Sequence, residues 1–117
     1  MVRKIAVPVV NGKVSRSFER SRDFMLFTIG EKDVIELELK STLLQPEYFP
    51  FWIAGLGVTD LIARNIISSS IRKLNQYKIN VFVGVKSTDP ESLVKDYLQG
   101  TLETSDIVGE GIPLLSG

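Results

Sequence analysis

The 117-residue sequence contains neither cysteine nor histidine. Without cysteine the chain has no disulfide bond, no thiolate nucleophile and no thiolate ligand for a metal. Without histidine it lacks the commonest general base and the commonest metal ligand of proteins. Any chemistry would therefore have to come from carboxylates, hydroxyls, lysine, arginine, tyrosine or backbone groups.

Long apolar runs are also missing. No run reaches the roughly 20 residues that a membrane-spanning helix needs, and the apolar start at 5–10 is too short for a signal peptide. We therefore expect a cytoplasmic protein with one domain. The net charge is zero, yet residues 1–23 carry six basic and two acidic groups. This basic start could attract an anion or a nucleic acid, or it could consist of solvated strand ends and loops. The modest charge density favours solvated ends and loops over a nucleic-acid partner.

The stretch from residue 57 to 84 predicts a strand, a helix and a second strand. Val58–Ala63 and Ile79–Val83 are short apolar runs, and apolar residues recur at helical spacing between them. The serines at 68–70 are candidates for the helix N-cap. Two strands joined by a helix should lie parallel, with a right-handed crossover.

Three strands precede this unit. Lys4–Val10 is apolar on both faces, which is typical of a central strand. It ends at an Asn-Gly turn signal, and Phe24–Ile29 forms the second strand. Val34–Lys40 alternates apolar and charged residues, which predicts an edge strand with one buried face.

Two further helices complete the predicted fold. One runs from about Pro50 to Leu56, and the other begins at Thr88 or Asp89 and ends at Gly100. The order βββαβαβα predicts an α/β fold with a mixed five-stranded sheet and helices on both faces. We expect residues 1–103 to form the domain and residues 104–117 to be a flexible tail.

The chain resembles a known family over about residues 3–103. The opening KIAVPVVNGKVS is similar to the family's first strand and turn, Ser17–Ser21 lies where the family has His-Phe-Gly-Arg-Ala, and ESLVKDYLQG is similar to its last helix. The family is that of dinitrogenase iron–molybdenum cofactor biosynthesis. The resemblance implies a three-layer ribonuclease H-like fold and a small cofactor-binding or carrier protein.

The same resemblance bears on cofactors. It implies an iron–molybdenum cofactor or an iron–sulfur cluster as ligand, but Ser17 stands at the position of a family histidine and Pro46 near that of a second. Phe18 and Arg20 are kept. Clusters need soft or imidazole ligands, and this chain offers only its two methionines. We therefore predict no metal-ligand set.

A candidate ligand site combines two loops that should meet at the carboxyl ends of parallel strands, where open α/β sheets bind ligands. Arginine side chains and the free amides at a helix start could hold an anion there. Alternatively, the serines only cap the helix and the arginines are solvated. The predicted ligand-binding residues are Ser15, Ser17, Phe18, Arg20, Arg64, Ser68 and Ser69.

A second candidate is the aromatic segment Tyr48, Phe49, Phe51 and Trp52. Clustered exposed aromatic residues usually mark an interface, and a homodimer would be its simplest form. Alternatively, these rings cover one face of the sheet.

No carboxylate lies in the first strand, and no acidic set for two-metal nuclease chemistry is evident. We therefore predict a non-enzymatic domain that binds an anionic ligand or a protein partner. The alternative is a structural protein that self-associates through residues 48–52.

Overall fold

Strand β1 (Arg3–Val10) lies at the centre of the sheet. Ile5 and Val7 on one face and Ala6 on the other are fully buried, so both faces of β1 need cover. The strand pairs antiparallel with β3 (Asp23–Ile29) and parallel with β5 (Asp60–Ala63). The predicted central position of the first strand is therefore confirmed.

The computed structural model describes residues 2–108, and side chains up to residue 105. Within this part the sheet runs in the order β4-β3-β1-β5-β6-β7, and the short β2 pairs with β1. No helix in residues 2–108 is long and apolar enough to cross a membrane. The remaining elements are β2 (Lys13–Val14), β4 (Val34–Ser41), a 3-10 turn (Pro46–Tyr48), α1 (Phe49–Gly55), α2 (Ser68–Gln76), β6 (Asn80–Val83), α3 (Pro90–Gln99) and β7 (Asp106–Val108).

Helices cover both faces of the sheet. On one face, α1 and α2 pack against a core that includes Leu26 and Leu61. On the other face, Leu93 and Val94 of α3 pack against Val7 and the neighbouring strands. The predicted three-layer α/β architecture is therefore confirmed.

The predicted number of five strands is wrong, because the sheet has two additional short strands. Asn11 and Gly12 both have positive φ, 52° and 78°, and this tight turn returns the chain so that β2 pairs with the end of β1. The second addition, β7, lies antiparallel to β6 within the segment that the sequence predicts as a flexible tail. Residues 109–117 of that tail lie outside the described residues.

The prediction of a buried face on β4 is also wrong. Ile35, Leu37 and Leu39 are 66%, 45% and 62% exposed. Alternating residues share one face of a strand, but a second layer must cover that face before it is buried. A groove lies between α3 and β4, with Lys95 and Leu98 on its helix side, so α3 leaves this edge of the sheet open.

Candidate functional site

Two loops meet at the carboxyl ends of β1 and β5, as the sequence predicts. The Phe18 amide donates to the Asn65 carbonyl at 3.0 Å, and the Asn65 side-chain amide donates to the Arg16 carbonyl at 2.8 Å. We call residues 15–21 and 64–67 the loop pair. The sequence prediction does not include Asn65, although a polar amide two residues after a buried strand is a usable signal for such a role.

Two of the predicted ligand-binding residues have structural roles instead. Phe18 is fully buried, and its ring meets those of Phe24 and Phe49 edge-on at 5.8 and 5.7 Å. Ser15 is buried as well, and its hydroxyl accepts from the Ser17 amide at 3.2 Å and donates to the Ser17 carbonyl at 3.0 Å. These residues therefore hold the loop in shape rather than face a ligand.

The predicted serine cap on α2 is wrong. The N-cap residue is Ile67, and Ser68 and Ser69 lie exposed in the first helical turn. The Ile67 amide donates instead to the Glu19 carboxylate at 3.2 Å. The start of a helix favours negative charge. The Glu19 carboxylate already provides that charge at the start of α2, where the sequence predicts an anion. Sequence reasoning missed this residue because the loop containing it lies 48 positions away.

The loop pair nevertheless keeps an excess of positive charge. Arg16 and Arg20 are exposed and Arg64 is half-buried. Within residues 2–105, whose side chains are described, no carboxylate forms an ion pair with any of these three. Three arginines against Glu19 leave a net charge of +2 on the loop pair, so an added anion would meet unpaired guanidinium groups.

The side chains that the structure describes do not fit a metal cluster held by protein ligands. In the described part of the chain, no three or more acidic side chains gather as metal ligands, and histidine and cysteine do not occur. The soft sulfur of Met25 packs with the core beneath α3, whereas Phe18 of the loop pair belongs to the opposite core. No coordination chemistry is therefore assigned to the loop pair.

The aromatic segment divides between core and surface. Phe49 is fully buried and Trp52 packs half-buried against Phe24, at 5.5 Å between ring centroids. Tyr48 and Phe51 are 52% and 66% exposed. Helix α1 is a short seven-residue helix with one face towards the sheet, so the four rings cannot share one environment.

The exposed half of the segment gains a third ring from α2. Phe51 lies edge-on to Tyr77 at 6.4 Å, and Tyr77 is itself exposed. We call Tyr48, Phe51 and Tyr77 the aromatic patch. Lys73 and Glu47 border the shallow groove beside it. Sequence reasoning missed Tyr77, because only the packing of α1 on α2 brings it to this surface.

The buried carboxylate of Asp60 lies at the opposite edge of the sheet from the loop pair. It accepts from the Thr59 hydroxyl at 2.7 Å and from the Asn80 amide at 3.3 Å. Nearby, Arg3 donates to the Tyr97 hydroxyl at 2.9 Å. Burial, and then the charge of Asp60, raises the pKa of Tyr97 above its ordinary value. These groups satisfy one another, which favours a structural role.

Comparison with known proteins agrees with the fold. Among solved structures the chain is similar to the protein PH0822 (24% identity, TM-score 0.81, 87% of this chain and 94% of that one). It is also similar to a putative dinitrogenase from Methanocaldococcus jannaschii, MJ0327, with 20% identity and a TM-score of 0.75 over 89% of this chain and 95% of that one. A third similar structure is the apo form of the orange protein from Desulfovibrio gigas, with 16% identity and a TM-score of 0.74 over 88% of this chain and 92% of that one. At these identities the likeness shows the fold alone.

No curated protein matches this chain. A family model described as dinitrogenase iron–molybdenum cofactor, however, matches residues 1–100. This match covers most of the chain, and it agrees with the resemblance in the sequence. The chain belongs to the dinitrogenase iron–molybdenum cofactor family.

Proposed function

We propose that this chain is a non-enzymatic binding domain whose loop pair receives a ligand with an anionic group. The observation that supports the proposal is a set of arginines, on two loops joined through Asn65, that form no ion pair with any described side chain. The position supports it as well. After the short β2, the chain continues from β1 to β3 on one side of β1, whereas β5 is followed by β6 on the other side. Such switch points are where open α/β sheets bind ligands.

The available donors favour an anion over a coordinated metal. Arginine side chains bind oxyanions through charged N–H donors, whereas coordination of an iron–sulfur or iron–molybdenum cluster needs the thiolate or imidazole side chains that this chain lacks. The family description adds the iron–molybdenum cofactor to the candidate ligands. On this chain we propose that such a cluster would be held by charge and hydrogen bonds rather than by side-chain coordination.

Isothermal titration calorimetry with molybdate, tetrathiomolybdate and inorganic phosphate tests this proposal. We expect Arg20→Gln and Arg64→Gln each to weaken binding by roughly tenfold to a hundredfold, since a hydrogen bond to a charged group contributes about 1.5–3 kcal/mol. Arg72→Gln is the matched control, because Arg72 is exposed on α2 outside the loop pair. Equal weakening by all three substitutions, or no heat with any probe, would contradict the proposal.

A second candidate function is association through the aromatic patch. Its support is the exposure of three neighbouring rings, which is typical of interface cores. Phe51→Ala is the informative substitution, since Trp52 and Phe49 pack in the core and their loss would disturb the fold. If size-exclusion chromatography gives the same elution volume for Phe51→Ala and for a self-associated wild type, the patch is not the contact.

A further inference from the structure

The outer edge of β4 is open. In the part of the chain that the structure describes, β4 pairs with β3 on one side and with no strand on the other. An unpaired edge presents a row of backbone N–H and C=O groups that can pair with another strand. Natural edge strands are usually short, charged, irregular or covered. β4 has eight residues, and its apolar side chains are exposed.

The two halves of β4 differ in regularity. The pairing with β3 shifts between Thr28 and Ile29, opposite the start of β4. A bulge of this kind twists an edge and hinders further pairing. From Leu37 to Ser41 the register is continuous. This regular half is therefore the part of the edge that can accept another strand.

Charges along the regular half are self-complementary. Glu38 and Lys40 lie on the same face of β4, and the Lys40 Nζ lies 3.2 Å from the Glu38 Oε2. We propose that two copies of this chain pair antiparallel along β4, centred on Leu39. In that register Glu38 of each copy lies opposite Lys40 of the other, twice by symmetry. Opposite charges in directly facing positions stabilise a strand pair.

Neighbouring registers are less favourable. Pairing centred on Glu38 would face Glu36 with Lys40 twice but would place two carboxylates opposite each other at its centre. Pairing centred on Leu37 would oppose Glu36 and Glu38 twice. Like charges in facing positions destabilise a strand pair. Centring on Leu39 also joins Leu37 and Leu39 of both copies into one apolar row. That row continues along the groove between β4 and α3, which Leu37 lines.

Analytical ultracentrifugation from micromolar to millimolar concentration tests the pairing. We expect a dimer whose dissociation constant rises about tenfold or more with Leu39→Lys or with Glu38→Lys. The double substitution Glu38→Lys with Lys40→Glu restores both facing pairs and should restore the dimer. Ile67→Lys is the control, because Ile67 is 56% exposed and lies at the start of α2, outside β4. Circular dichroism checks that each variant folds.

Single cysteines test the register directly, since the chain has none of its own. Leu39→Cys faces its own copy across the two-fold axis and should form a disulfide-linked dimer under mild oxidation. Leu37→Cys faces Ser41 and should link far more slowly. A wild type that stays monomeric at millimolar concentration overturns the proposal. A dimer that tolerates Leu39→Lys but is lost with Phe51→Ala overturns it in favour of the aromatic patch.

Discussion

Phe49 and Phe51 lie two positions apart in α1, but their truncation to alanine should change the free energy of unfolding by very different amounts. Phe49 is fully buried, and its ring meets those of Phe18 and Phe24 edge-on at 5.7 and 5.5 Å. Truncation of a buried phenylalanine to alanine costs about 3–5 kcal/mol. Each edge-on contact contributes about 0.5–1.5 kcal/mol beyond burial. We therefore expect Phe49→Ala to lower the free energy of unfolding by about 4–5 kcal/mol.

Phe51→Ala is the matched comparison. Its ring is 66% exposed and touches Tyr77 at a centroid distance of 6.4 Å, so we expect a change within about 0.5–1 kcal/mol. Urea denaturation can follow both variants through the fluorescence of Trp52, the one tryptophan of the chain. With a slope of about 1–3 kcal/mol per molar urea, Phe49→Ala should shift the midpoint by roughly 2 M. A cost below about 1 kcal/mol for Phe49→Ala would refute the division of the segment into core and surface.

Two further predictions concern backbone geometry and pH. Gly84 has a φ of 84°, and a Cβ there would collide with Ser105. Gly84→Ala should therefore lower the free energy of unfolding by about 1–3 kcal/mol and speed amide hydrogen exchange at Ser105. Gly55→Ala is the control, because Gly55 has open space around it, and it should leave stability unchanged or raise it. The pKa of Tyr97 is raised on folding. The contribution of this group to stability is therefore fully present below about pH 10, and it is lost as the pH rises through the raised pKa. Tyr97→Phe should flatten that decline in urea titrations, and an unchanged slope would contradict this.

Local sequence was sufficient for the elements themselves. Apolar residues on both faces of 4–10 predict a strand that must be covered twice, and β1 is covered by α1 and α2 on one side and by α3 on the other. Asn11-Gly12 predicts a turn, because these residues tolerate positive φ. Asp89 and Pro90 predict a helix start, and α3 begins at Pro90. Each of these predictions depends on neighbours within a few positions.

The burial and the hydrogen-bond partners of individual side chains depend on packing between segments that are distant in the sequence. The alternation in 34–40 predicts an apolar face but not whether a helix reaches it, and α3 leaves that face of β4 exposed. The serines at 68–70 resemble a cap, yet Glu19 accepts from the amide that precedes α2. Phe49 and Phe51 have the same side chain and nearly the same position, and only the docking of α1 onto the sheet separates them.

The candidate site shows the same division. The sequence by itself shows that the donor set contains no histidine or cysteine. It also predicts the order of elements that brings the loops after β1 and β5 to one end of the sheet. Only the tertiary structure decided that Phe18 and Ser15 support the loop pair. It also decided that Arg16, Arg20 and Arg64 form no ion pair with the side chains of residues 2–105. Hydrogen bonds and ion pairs form between neighbours in space, and those neighbours are often distant in the chain, as Glu19 and Ile67 are.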